Sequence, residues 1–189
     1  MAALESMALD RVAPLPQTLA HSRIASNLTR LLNDRLDREA PSLVAIQRTP
    51  VEFGDRPAPD VGVVDVGFSL HQRSVRRIYL AAEVTNGEDA ACPPGCDRPT
   101  VEIRRDLYRA HGDCAAVLLV AEDRMEVVLD LRTEDGWRTS VLKAGEAELE
   151  IGVFGFWCLL DDLYEGTPLR PRRQAAARFV ASARRRRRP

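Results

Sequence analysis

Two carboxylates 23 positions apart carry the chemistry of this chain: Asp60 in Arg56-Pro57-Ala58-Pro59-Asp60-Val61, and Glu83 in Ala82-Glu83-Val84-Thr85-Asn86. Each stands at one end of an apolar, β-branched run, over 60–66 and 78–85, and runs of that kind form buried strands. If the strands pair antiparallel, the start of the first lies beside the end of the second, which brings Asp60 near Glu83 and Thr85. Side chains alternate along a strand, so the register must leave both acids on one face. Carboxylates converging at the rim of an apolar sheet repel each other, and one retains its proton unless a cation neutralises them. A hard cation bound through oxygen, Mg²⁺ or Mn²⁺, meets that need. The competing reading makes Asp60 a turn residue after Pro59 and Glu83 a satisfied polar residue at a sheet end.

The elements around the pair follow from periodicity. Thr18 caps a helix from Leu19 to Arg38, whose Ile24, Leu28, Leu31, Leu32 and Leu36 form one apolar stripe and which Ala40-Pro41 ends. His21 lies in its first turns, either as a contact to phosphate or metal-bound water or as a half-exposed helix residue. Residues 42–47 and 51–53 read as a strand broken at Pro50. A second helix is expected from Thr100 to His111, closed by Gly112 as a left-handed terminator. Arg104, Tyr108 and His111 share one of its faces, and Val101, Ile103, Leu107 and Ala110 are expected to form the buried one. Residues 115–120 make a central strand, followed by a meander through 125–131 and 137–142, with Asp135-Gly136 as a turn. The apolar segment 149–160 contains Phe154, Phe156 and Trp157, read as core or a dimer contact ahead of a base-stacking platform, and a short helix is expected over 159–164.

In this order, His21 on a first helix, the Pro-Ala-Pro-Asp60-Val segment, the Ala-Glu83-Val-Thr-Asn segment, then a helix with Tyr108 before Gly112, the chain resembles the Uma-two family of restriction endonucleases. The resemblance covers residues 18 to 165 and places the chain in the PD-(D/E)XK nuclease-like superfamily. It implies an α/β fold with a restriction-endonuclease-like core, a mixed central β-sheet and flanking helices. It also implies a Mg²⁺-dependent endonuclease acting on DNA, with Asp60, Glu83 and the Val84 carbonyl as metal ligands and Arg104 in the electrostatic role. His21, Thr85 and Tyr108 would contact phosphate or stand behind the ligands. The superfamily's usual Lys two residues after the second acid is Thr85 here, and the Uma-type helical Lys is Arg104, which cannot give up a proton. The family's Asp before that helix is replaced by Thr100, with Asp97 three residues early as a turn or cap residue. Its Asp after the central strand is Ala121. These departures keep a second expectation open, a catalytically degenerate nuclease-like module for nucleic-acid binding or assembly.

Composition bounds the rest. With 189 residues, 45% apolar and 29% charged, the chain has the make-up of an ordinary globular domain with room for a core. The expected division is an N-terminal arm over 1–17, a nuclease-like domain over 18–168 and an Arg-rich tail over 169–189. Lys143 is the single lysine, so an Arg where the family has Lys fits the bias of the whole chain. Nine arginines and no acid lie from Arg170 onward, leaving 18 basic against 28 acidic residues before them. An acidic body with a basic end fits either a salt-dependent nucleic-acid arm or a plain solvated tail. The loop with His71, Arg73, Arg76 and Arg77 meets a nucleic-acid backbone if it overhangs the acids, and is otherwise solvated. Residues 87–99 are long for a connection and read as a lid or an insertion. Cys92 and Cys96 lack a second pair for zinc, and Cys114 and Cys158 are scattered, so neither a zinc site nor a disulfide scaffold is expected. Residues 1–17 carry Glu5 and Asp10 without a basic leader, and no apolar run reaches bilayer length; a cytoplasmic chain without a membrane partner is expected, with a homodimer left open.

Overall fold

In a computed structural model the described residues are 17–54, 57–86, 92 and 97–171. Helix α1 (Leu19–Glu39) leads into strands β1 (Leu43–Gln47), β2 (Val61–Asp65) and β3 (Leu80–Thr85), followed by helix α2 (Thr100–Ala110). The chain continues through β4 (Ala116–Ala121), β5 (Glu126–Thr133) and β6 (Gly136–Lys143). It finishes with β7 (Glu148–Ile151), a 3₁₀ turn, β8 (Phe156–Leu159) and the one-turn helix α3 (Leu160–Leu163). Strands β1 to β6 form one sheet in sequence order, and β7 and β8 pair separately.

The sheet is mixed. β3 and β4 run parallel while every other neighbouring pair is antiparallel. A parallel pair needs a crossover, and α2 supplies it. β4 is buried along its whole length, as its unbroken apolar sequence requires for a strand covered on both faces. One face packs Val61, Val63, Leu80, Ala82 and Val84 against Ile24, Leu28, Leu32 and Leu36 of α1. The opposite face carries Val64, Ala81 and Val117 beneath Tyr108 of α2.

Local chemistry sets the ends of α1. The Thr18 hydroxyl accepts the His21 amide at 3.0 Å, and the Ala40 amide closes on the Leu36 carbonyl before Pro41. The terminal segment is latched onto the body: the buried Asn27 amide donates to the carbonyls of Leu163 and Glu165, each at 2.9 Å, and the Tyr164 hydroxyl donates to the Ala121 carbonyl at 2.7 Å.

Four expectations need correction. Residues 51–53 add no strand to the sheet; Val51 alone makes a bridge, to Val75, because Pro50 has no donor and the returning loop takes its carbonyl. The buried face of α2 is not the apolar one. Val101, Ile103 and Leu107 are half-buried, Ala110 is exposed, and Tyr108 is the buried residue, because the helix turns its polar row inward onto Glu83 and Asp130. Gly112 does not take a positive φ, so the helix ends on an extended His111 without a left-handed terminator. Asp97 is exposed and caps nothing, since Pro99 precedes the helix and provides no side-chain cap.

The inward polar row includes an ion pair that anchors α2. Arg105 grips Asp130 of β5 through two bonds of 2.6 and 2.7 Å, and Thr139 of β6 adds a third at 2.6 Å. Burial opposes the Asp130 charge, but these donors outweigh it and hold the carboxyl below its ordinary range. Arg105→Ala leaves a carboxylate that is 1% exposed without its counter-charge. A loss of about 3 kcal/mol in urea unfolding is expected, and a loss near zero would remove the anchoring role.

Among the described residues no helix is long and apolar enough to cross a membrane. The expected arm lies outside the described residues apart from Gln17, and the tail beyond residue 171, Cys96 and most of 87–96 also lie outside them.

Candidate active site

The acids meet at one end of β2 and β3. Val61 pairs with Ala82, and continuing that antiparallel register by one residue sets Asp60 opposite Glu83. Alternation puts Glu83 with Ala81 on the α2 face, while Asp60, one residue before β2, turns its carboxylate to the start of α1 and the Val84 amide. Both side chains are withdrawn from water, with Asp60 8% and Glu83 4% exposed.

Asp60 is held from three directions. Its Oδ2 accepts the Val84 amide at 2.9 Å, and its Oδ1 accepts the Gln17 side-chain amide at 3.0 Å. His21 Nε2 also lies 3.0 Å from Oδ1, yet it makes no well-directed hydrogen bond and is a buried nitrogen without a partner. The contact is an ion pair. Burial alone would lower the His21 pKa, but the Asp60 contact and charge, helped by Glu122, raise it above 6.5. Glu122 is bound by the Thr18 hydroxyl at 2.9 Å and stands 3.9 Å from His21 Nδ1.

Glu83 is held from α2. The Tyr108 hydroxyl donates to Oε1 at 2.5 Å, and Arg104 Nη1 donates to Oε2 at 3.2 Å. Residues four apart on a helix share a face, which explains why both reach one carboxylate. Burial pushes the Glu83 pKa up to about 7; the Arg104 charge pulls it down, and Asp60 opposes that pull. Tyr108, buried beside the same anion, is pushed well above its ordinary value.

The remaining site residues are placed as follows. Thr85 lies on the Glu83 side of β3, half-buried, with its hydroxyl 3.5 Å from the Val120 carbonyl. Val84 contributes its amide to Asp60. His111 does not join the cluster: at the far end of α2 it binds the Arg76 carbonyl at 3.0 Å and packs edge-on to Phe53. The basic loop does not overhang the acids either. It leaves β2 after Asp65, at the end remote from Asp60, where Arg77 pairs with Asp65 and Arg76 with Glu52. A hairpin connection must begin where the first strand ends, so the topology excludes the overhang. Sequence reasoning missed Gln17 and Glu122. The only signal for either was position, Gln17 before the helix cap and Glu122 just after the central strand.

A divalent ion fits this donor set. Two hard carboxylates stand at the same end of paired strands, and burial chiefly, with the Asp60 charge adding to it, raises the Glu83 pKa to about 7 despite the opposing Arg104 charge. Among the described residues no group of three or more His, Cys, Asp and Glu side chains forms a metal cage. An ion here would rest on the two carboxylates alone, with water and substrate phosphate filling the remaining positions, as Mg²⁺ sites allow.

A mixed sheet with helices on both faces and two acids at the end of an antiparallel strand pair defines a nuclease-like α/β fold. A solved structure from Anabaena variabilis, described as a "putative nuclease belonging to DUF820", superposes with a TM-score of 0.58 at 18% identity, covering 80% of this chain and 83% of that one. The likeness establishes the fold. No family model and no curated protein matches the chain.

Proposed function

We propose that the chain is a metal-dependent nuclease of the Uma-two type, hydrolysing phosphodiester bonds in DNA with Mg²⁺ or Mn²⁺ held by Asp60 and Glu83. The observation that carries the reading is the register: the Val61–Ala82 pairing, continued by one residue, sets acids far apart in sequence at one strand end, and both are withdrawn from water. The Val84 carbonyl would add a ligand from the same strand. The ion supplies an acidified water and offsets charge building on the phosphate oxygens. The chain's own groups do the remainder. Gln17, His21 and the Val84 amide fix the Asp60 carboxylate, and Tyr108 fixes that of Glu83. The Arg104 side chain is 42% exposed, so its guanidinium can turn from Glu83 toward an incoming phosphate.

Calorimetric titration with Mg²⁺ tests the proposal. Binding with a Kd on the order of millimolar or tighter is expected, lost in Asp60→Ala; absence of any binding heat for the folded wild type would overturn it. One observation favours a second reading, a nuclease-like module that binds nucleic acid without cutting it. Arg104 already neutralises Glu83 from within the chain, and Thr85 stands where the superfamily has its Lys. Oligonucleotide binding without Mg²⁺ heat would select that reading.

A further inference from the structure

Glu122 takes no part in the proposed chemistry, yet it stands where the site is assembled. It follows β4 directly, and its amide donates to the Thr85 carbonyl at 2.8 Å, which carries the β3–β4 pairing one residue past Ala121 and fixes where the side chain starts. Its side chain is 11% exposed and reaches the N-terminus of α1. Helix α1 has no acid in its own first turn, so the positive end of its dipole is met by a charge from the sheet. The contact runs through the cap. The Thr18 hydroxyl donates to Glu122 Oε2 at 2.9 Å while it accepts the His21 amide at 3.0 Å, so one side chain both starts the helix and fastens it to the end of β4. The residues on either side of that fastening reach Asp60: Gln17, just before the cap, and His21, in the first turn, each place a nitrogen 3.0 Å from Oδ1. The other side of the imidazole faces Glu122, with Nδ1 3.9 Å from Oε2, so the ring stands in a row between two carboxylates. The next polar ties along α1, from Arg23 and Asn27, run to the carbonyls of Leu163 and Glu165 and not to β3 or β4.

We infer that Glu122 is a positioning residue: by seating the Thr18 cap and facing His21, it sets where Gln17 and His21 hold the Asp60 carboxylate. It acts through the start of α1 and not by contact with the ion. Groups of this kind, one step behind a metal ligand, fix the ligand's orientation and so its affinity for the metal. The inference rests on the nuclease reading for what Asp60 holds, but the seat of the carboxylate exists without the ion. That seat has its own reporter, because the buried Val84 amide donates to Asp60 Oδ2 at 2.9 Å and is protected from water only while the carboxylate stays in place.

Two substitutions in the full chain test it. Glu122→Ala removes the tie, and Glu122→Gln keeps an acceptor for the Thr18 hydroxyl. Amide hydrogen exchange is followed by NMR in EDTA, comparing Val84 with Leu118 in the middle of β4. In Glu122→Ala the Val84 amide is expected to speed up about tenfold more than Leu118, the size of effect that follows loss of a hydrogen bond to a charged group. Titration of the same proteins with Mg²⁺ is expected to give a Kd about tenfold weaker for Glu122→Ala, the lower end of the range for a residue that orients a metal ligand. Glu122→Gln should recover most of both losses. Equal acceleration at Val84 and Leu118 would reveal a general loss of stability and would overturn the inference. An unchanged Val84 rate would overturn it as well, as would a Glu122→Ala Kd equal to that of wild type. A folded wild type that binds no Mg²⁺ removes the nuclease reading alone, and the Val84 rates in EDTA still decide this one.

Discussion

Replacing Asp60 and Glu83 together by Ala will abolish Mg²⁺-dependent nicking of supercoiled plasmid while leaving a folded protein. The expected loss is at least about 10³-fold, since a metal ion stabilises a phosphoryl transition state by several kcal/mol. The fold is expected to survive because the substitutions remove two mutually repelling buried charges; Tyr108 and Arg104 lose Glu83, and Gln17, His21 and the Val84 amide lose Asp60. Circular dichroism and a cooperative melt verify the fold before the assay is read. Nicking that persists at the wild-type rate in the folded double variant would end the assignment of these acids to the chemistry.

The second large effect concerns pH. Glu83 has a pKa of about 7 in the folded chain against 4.5 for an ordinary Glu. Between those values the folded protein holds a proton that the unfolded chain has released, so stability falls as pH rises through the window and levels off above it. The contribution lost is on the order of 3 kcal/mol. The raised pKa of His21 acts in the same sense, its stabilisation disappearing as pH rises through its folded value. Glu83→Gln separates the two: its urea-unfolding free energy is expected to lose most of the slope between about pH 4.5 and 7 and to exceed that of wild type at pH 8. Parallel curves for the two proteins would show that Glu83 is not the destabilising group. Saturating Mg²⁺ should raise wild-type stability at pH 8 more than at pH 5, because only the ionised pair attracts the ion.

The succession of strands was legible because compact apolar runs mark 61–65, 80–85 and 116–121, and α1 was legible from its apolar stripe and its Thr18 cap. The convergence of Asp60 and Glu83 was legible for a geometric reason: an antiparallel pair joined by one loop places the start of one strand beside the end of the other. What could not be read was orientation about the helix axis in α2. Its apolar and polar rows are both continuous, and only tertiary context shows that Glu83 and Asp130 need Arg104, Arg105 and Tyr108 inward more than Ala110 needs burial. The loop after β2 was misjudged because its charge drew attention before its topology did. Gln17 and Glu122 converge on the site from positions 105 residues apart, and no local pattern encodes such a meeting.

The latch made by Asn27 and Tyr164 has a consequence for timing. Helix α1 precedes every other described element in the chain, yet the carbonyls that anchor it belong to Leu163 and Glu165, near the far end of the described residues. His21, which pairs with Asp60, rides on that helix, so a chain made only as far as Glu122 already contains every acid and base of the cluster without a firm seat for them. A firm seat for the cluster therefore has to wait until residues 163–165 have joined the fold.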